Sequence, residues 1–276
     1  MKIVIAGLGI IGGSLAKAIK KYTDSYVYGM NRSPEPLRQA MECGAIDEIG
    51  GTEALRQADV LILGIYPEAA VEFVRRHAGD INKDCVVIDT AGIKSEICPQ
   101  LAALAEEHGF SYVGFHPMAG KEKNGFGVSE ADLFQDASAI LIPGMAPHAA
   151  VERIAGLCRK IGFGRVVYST PEEHDRMISF SSQLPHVIAC AYVFSPNCPK
   201  HKGFSAGSYR DVSRVASINA PLWSELFIEN KKPLVQEINT MIDNLAQIRD
   251  GIEKGDREEL ASLLLRAKLI KEALGE

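Results

Sequence analysis

The stretch KIVIAGLGIIGGSLA, from Lys2 to Ala16, decides how the rest of the chain is read. Ile3, Val4, Ile5 and Ala6 make a short apolar run, the pattern of a strand buried on both faces. Gly7, Gly9 and Gly12 follow at G-x-G-x-x-G spacing, and a helix is expected from Ser14 to Lys20. Each glycine has its own task. Gly7 permits the tight turn, Gly9 lets the backbone approach a pyrophosphate, and Gly12 lets the helix lie close to the strand. Free N–H groups and the positive end of the helix dipole then receive the phosphates. Gly7, Gly9, Ile10, Ile11 and Gly12 are therefore the expected dinucleotide cradle, because the motif stands between a strand and a helix.

Composition narrows the class. The chain has 276 residues, 46% hydrophobic and 24% charged, enough for one large domain or two ordinary ones. A net charge of −5 without any basic stretch argues against a nucleic-acid partner. No secretory leader and no apolar stretch of membrane-spanning length is expected. The six cysteines (Cys43, Cys85, Cys98, Cys158, Cys190 and Cys198) are scattered without a CxxC pair. That pattern suits a reducing cytoplasm rather than a disulfide framework or a zinc site, so no metal ligands are assigned.

The second strand, Tyr26 to Gly29, ends where cofactor type is read. A carboxylate about 20 residues beyond the glycines would accept from the ribose 2′-OH of NAD. This chain has Asn31, Arg32 and Ser33 there. An arginine pairs with a 2′-phosphate, and its neighbours can donate hydrogen bonds, so NADP is favoured, with NAD possible. The plainer reading is a polar turn before a helix starting near Pro34. Further strands are expected at Asp59–Gly64, Cys85–Asp89, Ser111–Phe115, Ser138–Ile142 and Arg165–Tyr168. Helices are expected after Pro67, at Ser95–His108 and from Pro147 to about Lys160. This alternation predicts an α/β, doubly wound, mostly parallel sheet of Rossmann type over residues 1–168.

From Ser169 the pattern turns helical. Thr170, Pro171 and Glu173 form a capping box with proline at the first helical position, starting a helix that runs to about Phe194. Ser195–His201 reads as a loop. A long helix from Pro221 towards Glu253 is expected to bend at Pro233, and Asp256 with Glu259 caps the last one. Residues 169–276 thus read as an all-α domain whose wide apolar faces predict dimerisation.

Four polar clusters stand out. Asp89-Thr90-Ala91-Gly92-Ile93-Lys94 lies at a strand end, where Asp89 is either a cofactor contact or half of a structural ion pair with Lys94. His116 follows Ser111–Phe115 and precedes a glycine-rich loop, a placement that suits proton transfer at neutral pH. Ser181-Ser182-Gln183-Leu184-Pro185-His186 puts a proline inside a helix, which frees backbone carbonyls. His174 lies earlier in the same helix. Gly207-Ser208-Tyr209-Arg210-Asp211-Val212-Ser213-Arg214, with Asn219, Pro221 and Trp223 beyond, offers guanidinium groups for a carboxylate and an indole for an apolar ring.

Taken together, the chain resembles the prephenate/arogenate dehydrogenase family of tyrosine biosynthesis over nearly its whole length. The resemblance rests on GLGIIGGSLA at Gly7–Ala16, DTAGIK at Asp89–Lys94 and HPMAGKE at His116–Glu122. LPH at Leu184–His186 and YRDVSRVASINAPLW at Tyr209–Trp223 complete it. It implies a nucleotide-binding domain followed by a helical dimerisation domain, and an NAD(P)-dependent oxidative decarboxylation of a cyclohexadienyl substrate. His116 matches the family's catalytic histidine and Arg214 its carboxylate-binding arginine. His186 and Trp223 match residues of the substrate pocket, with Gln183 beside them and Asp211 steadying an arginine.

Two departures touch the region that reads the substrate side chain. Many relatives have serine at Gly92, whose role is empty here or passes to Thr90 or water, and many have histidine at Gln183. Prephenate versus arogenate stays open at this point. No added regulatory domain is expected after the bundle, so feedback by tyrosine would act at the active site. A β-hydroxyacid dehydrogenase is the rival enzyme, but it uses a lysine on a glycine-rich helix where this chain has Leu184-Pro185-His186. A dinucleotide-sensing protein without turnover is the rival of another class.

Overall fold

The computed structural model describes residues 1–121 and 123–275; Glu122, the last residue of the HPMAGKE motif, lies outside them. Two compact units are present. The first comprises Met1–Met177 and Ser217–Glu229, the second Ile178–Ala216 and the chain from Asn230 on. These units depart from the expected boundary at residue 168, because side chains just after Pro171 bond into the first unit, and the segment Ser217–Glu229 returns to it.

In the first unit the strands are β1 (Lys2–Ala6), β2 (Tyr26–Met30), β3 (Glu48–Ile49), β4 (Val60–Leu63), β5 (Val86–Asp89), β6 (Ser111–Pro117), β7 (Ser138–Ile142) and β8 (Arg165–Tyr168). Among the described residues they form one sheet in the order β3-β2-β1-β4-β5-β6-β7-β8. All neighbours run parallel except β6 and β7, which are antiparallel with His116 opposite Ile140. The helices that follow the strands are α1 (Ile10–Tyr22), α2 (Pro34–Glu42), α3 (Thr52–Arg56), α4 (Pro67–His77), α5 (Ile97–His108) and α6 (His148–Lys160).

Alternate strand residues feed two separate cores, which is why these strands read as unbroken apolar runs. Ile3, Ile5, Val60, Ile62, Val86 and Ile88 pack on one face with Leu15 of α1, Leu37 of α2 and Ile154 of α6. Val4, Leu61, Leu63 and Val87 pack on the other with Leu55, Val71 and Leu101. Full burial of each such side chain contributes about 2 kcal/mol by transfer from water. Cys85, Cys98 and Cys158 join these cores, and burial pushes each thiol up to about 12.

The second half of the chain carries α7 (Pro171–Ile178), α8 (Leu184–Val193), α9 (Gly207–Ser213), α10 (Ala220–Glu229), α11 (Lys231–Lys254) and α12 (Arg257–Ala273). At the start of α7 the Glu173 amide donates to Thr170 Oγ1 at 3.2 Å, the expected cap. The expected single helix to Phe194 is interrupted by a π turn at Ser179–Gln183, where the Leu184 amide reaches back to the Ser179 carbonyl. Pro185, lacking an N–H, stands just beyond it. The expected bend at Pro233 is instead a break at Asn230, between α10 and α11. Pro233 falls in the first turn of α11, where a missing N–H costs nothing. Asp256 caps α12 by accepting from the amides of Glu258 and Glu259. Ile242, Leu245 and Ile252 on α11 and Leu264, Leu265 and Leu269 on α12 are exposed. Among the described residues no helix is long and apolar enough to cross a membrane.

Candidate active site

The glycine turn between β1 and α1 is built as a cradle. Gly7 has φ +98°, a left-handed conformation that L side chains rarely adopt. A Cβ on Gly12 would overlap the Gly7 carbonyl oxygen, so only glycine lets α1 start this close to the strand. A Cβ on Gly9 would meet nothing within 4 Å, so the backbone there borders open space. No side chain caps α1, which begins at Ile10 rather than at the expected Ser14. A helix N-terminus whose amides are not claimed by a capping side chain, beside an uncluttered glycine, fits the pyrophosphate of a dinucleotide.

Asn31 follows β2 and has a different task from the expected one. Its Oδ1 accepts from the Leu8 amide at 3.0 Å, and its Nδ2 donates to the Ser33 carbonyl at 2.9 Å. The carboxamide therefore holds the glycine turn in place. Arg32 and Ser33 are exposed beside it.

Asp89, expected among the cofactor contacts, is a correction. It is buried, and its Oδ1 accepts from Lys94 Nζ at 2.5 Å and from the Ala91 amide at 2.8 Å. Its Oδ2 accepts from Tyr112 Oη at 2.7 Å. A carboxylate committed to so many donors is a structural ion-pair partner, the alternative that the sequence left open. Thr90 donates its hydroxyl to the Leu63 carbonyl at 3.2 Å, so that proton is already committed. At Gly92 an added Cβ would meet only Leu226 at 3.6 Å, an ordinary contact, so a serine fits there.

His116 is the penultimate residue of β6 and keeps part of its ring exposed. Its Nδ1 lies 2.8 Å from Nε2 of His174, and Nδ1 of His174 lies 2.7 Å from Oδ1 of Asp175. Asp175 also accepts from the amides of Lys94 and Ser95, each at 2.8 Å. Lys94 in turn donates its ammonium to the carbonyl of Phe115 at 2.6 Å. These bonds and the peptide linking Phe115 to His116 close a ring. Burial, then the His174 ring and the Lys94 ammonium, hold His116 well below the ordinary histidine pKa. His116 is therefore neutral at pH 7. Burial pushes the Asp175 carboxyl up, and hydrogen bonds from His174, Ser95 and Lys94 more than reverse it.

The second unit carries three of the expected substrate residues. Gln183 is buried, and its Oε1 accepts from Asn230 Nδ2 at 2.7 Å. His186 donates Nδ1–H to the Ser182 carbonyl at 2.9 Å, a ring-to-backbone bond just before the proline-containing start of α8. Arg214 closes α9 and is exposed. Asp211 lies 3.5 Å from Arg210 at the surface. Trp223, on α10 of the first unit, packs edge-on against Phe227 with ring centroids 5.6 Å apart.

Comparison with known proteins agrees with this architecture. The family model for the nucleotide-binding domain of prephenate dehydrogenase matches residues 15–168, and that for its dimerization domain matches residues 170–266. The chain belongs to the prephenate dehydrogenase family. Within it, the chain is 30% identical to the prephenate dehydrogenase of Bacillus subtilis (strain 168), covering 99% of this chain and 76% of that protein. It is 32% identical to the cyclohexadienyl dehydrogenase of Zymomonas mobilis, covering 94% of this chain and 90% of that one. Among solved structures, the prephenate dehydrogenase of A. aeolicus in complex with hydroxyphenyl propionate and NAD+ superposes with a TM-score of 0.86 at 25% identity, covering 99% of this chain and 97% of that chain. The family is one of dehydrogenases with a nucleotide-binding domain, as the glycine turn leads one to expect.

The interplay of His174 and Asp175 with His116 was not readable from spacing. His174 is 58 residues from His116, and the available signal was only that a histidine and an aspartate sit side by side in a capped helix.

Proposed function

We propose that the chain oxidises and decarboxylates prephenate or arogenate, giving 4-hydroxyphenylpyruvate or tyrosine, with NADP preferred over NAD. The observation that carries this reading is the mostly buried, neutral His116 near the end of β6, in a family fold whose first turn is a dinucleotide cradle. When bound, the nicotinamide supplies the acceptor for the hydride that leaves ring C4 of the substrate. His116 accepts the proton of the C4 hydroxyl, so that the oxygen keeps the O–H electron pair. The ring carboxylate departs as CO2, its bonding electrons enter the ring, and the resulting phenolate takes the proton back to give a phenol. A base that stays neutral well below pH 6.5 is ready for that proton across the physiological range.

By family resemblance, Arg214 binds a substrate carboxylate as a bidentate partner, while His186 and Trp223 line the ring. Gly7, Gly9, Ile10, Ile11 and Gly12 hold the pyrophosphate. Arg32, with Ser33, meets the 2′-phosphate, since Asn31, Arg32 and Ser33 rather than a carboxylate directly follow β2. The exposed leucines and isoleucines of α11 and α12, in the part matched by the dimerization-domain model, support a homodimer.

The test is absorbance-monitored reduction of NADP and of NAD with prephenate and with arogenate. NADP reduction with at least one substrate is expected, and no reduction in any of the four mixtures overturns the reading. Arg214→Ala is expected to raise KM for the substrate far more than for the cofactor.

A further inference from the structure

We infer that His174 and Asp175 are a positioning pair that fixes the tautomer of His116, making Nδ1 its donor and Nε2 its proton acceptor. This rests on the proposal that His116 is the base, and adds what makes it one.

The chain of donors begins at Asp175. A carboxylate held below its ordinary pKa accepts only, and its oxygens already receive the amides of Lys94 and Ser95. The 2.7 Å contact with His174 Nδ1 is then a bond that His174 donates. With His174 uncharged, which is part of the inference, the hydrogen is on its Nδ1 and its Nε2 carries the lone pair. That lone pair lies 2.8 Å from His116 Nδ1, which must therefore donate. The lone pair of His116 is left on Nε2.

The two imidazoles meet edge-on, with centroids 5.1 Å apart and planes at 62°, which allows an N–H to lone-pair contact between them. His174 and Asp175 are only 1% and 2% exposed, so water does not compete for these bonds. Lys94, whose ammonium acts on His116, bonds Asp89 and the Phe115 carbonyl, and Tyr112 bonds Asp89. Among the described residues His174 is the hydrogen-bond partner of His116 Nδ1. When His116 takes a proton from the substrate hydroxyl at Nε2, the O–H pair stays on the substrate oxygen. The imidazolium then keeps its Nδ1–H on His174, with the Asp175 charge behind it.

An asparagine at 175 loosens the order. Its two oxygen sites become one oxygen and one NH2, and in either orientation the NH2 meets a backbone amide hydrogen, that of Lys94 or that of Ser95. The side chain then no longer holds His174 Nδ1–H with a full charge, and a share of the molecules carries hydrogen on Nε2 of His116, where it is no longer a base. In Ser-His-Asp enzymes the same exchange lowers kcat by about 10⁴. Here Asp175→Asn is expected to lower kcat by about 10²–10⁴ with KM for substrate changed less than about threefold.

The deciding readout is ¹⁵N NMR of the full-length, histidine-labelled enzyme with and without NADP. The wild type should show an unprotonated Nε2 on His116, and Asp175→Asn a partly protonated one; a protonated Nε2 in the wild type overturns the inference. A variant that had only lost folded enzyme would keep the wild-type signature and pH profile in what remains, and that result also overturns it. His116→Asn separates the two proposals. If it turns over normally, the base assignment itself fails. If it is inactive while Asp175→Asn keeps wild-type kcat and pH profile, only the positioning pair fails.

Discussion

The carboxamide oxygen of Asn31 accepts the Leu8 amide at 3.0 Å, so the end of the second strand is fastened to the glycine turn. Asn31 and Arg32, adjacent in the chain, are therefore expected to affect the cofactor in different ways. Asn31→Ala should loosen the turn and weaken NADP and NAD by similar factors. Arg32→Ala should weaken NADP about 10–100-fold, the worth of a charge-assisted bond to phosphate, and leave NAD nearly unchanged. Fluorescence titration with both cofactors checks this, and a clear NAD preference in wild type that persists in Arg32→Ala would remove the NADP assignment.

Two glycines only three residues apart should fail differently. Gly12→Ala places a Cβ into the Gly7 carbonyl oxygen, so helix and strand must separate, and the protein should lose Tm together with cofactor binding. Gly9→Ala meets no atom of the protein within 4 Å, so Tm should hold while dinucleotide affinity drops. Thermal unfolding with and without NADP distinguishes the two; equal loss of Tm would mean that Gly9 is needed for folding rather than for ligand approach.

How far this was legible beforehand differs by element. The glycine turn, the Thr170 cap and the strand alternation are local patterns, and the chain adopts them. β3 has two residues and α3 has five, too few to show a period. The reversed direction of β7 is set by which strand it meets, and nothing in Ser138–Ile142 encodes that. Asp89 at a strand's carboxyl end looks the same on paper whether it faces a ligand or an ammonium five residues on. His116 was legible from its place before a glycine-rich loop, whereas its partners come from a distant helix.

Lys94→Met should cost about 3–5 kcal/mol, because Asp89 would be left as an uncompensated buried charge. Pairing it with Asp89→Asn should recover part of that loss. Denaturant unfolding of the two single variants and the double variant measures it, and additive losses would show that the two side chains act independently.

Glu229 gives a pH signature of its own. Burial first, then the carboxylates of Glu225, Glu68, Glu96 and Asp175, push its carboxyl up to about 7. A raised folded-state pKa means stability that is complete below the unfolded value of about 4.3 and lost as pH rises through 7. Glu229→Gln should therefore raise Tm at pH 8 and change it little at pH 4. A pH-independent shift in Tm would show that the effect is packing and not charge.

The closed ring from Phe115 through Lys94, Asp175, His174 and His116 has a consequence for how such a chain changes over generations. In an open series of contacts each member can drift while the others hold. In a closed one, a replacement anywhere loosens two neighbours at once, and the disturbance can reach β6 from both sides, through the Phe115 carbonyl and through the His116 ring. For inheritance these residues are expected to vary together rather than one at a time.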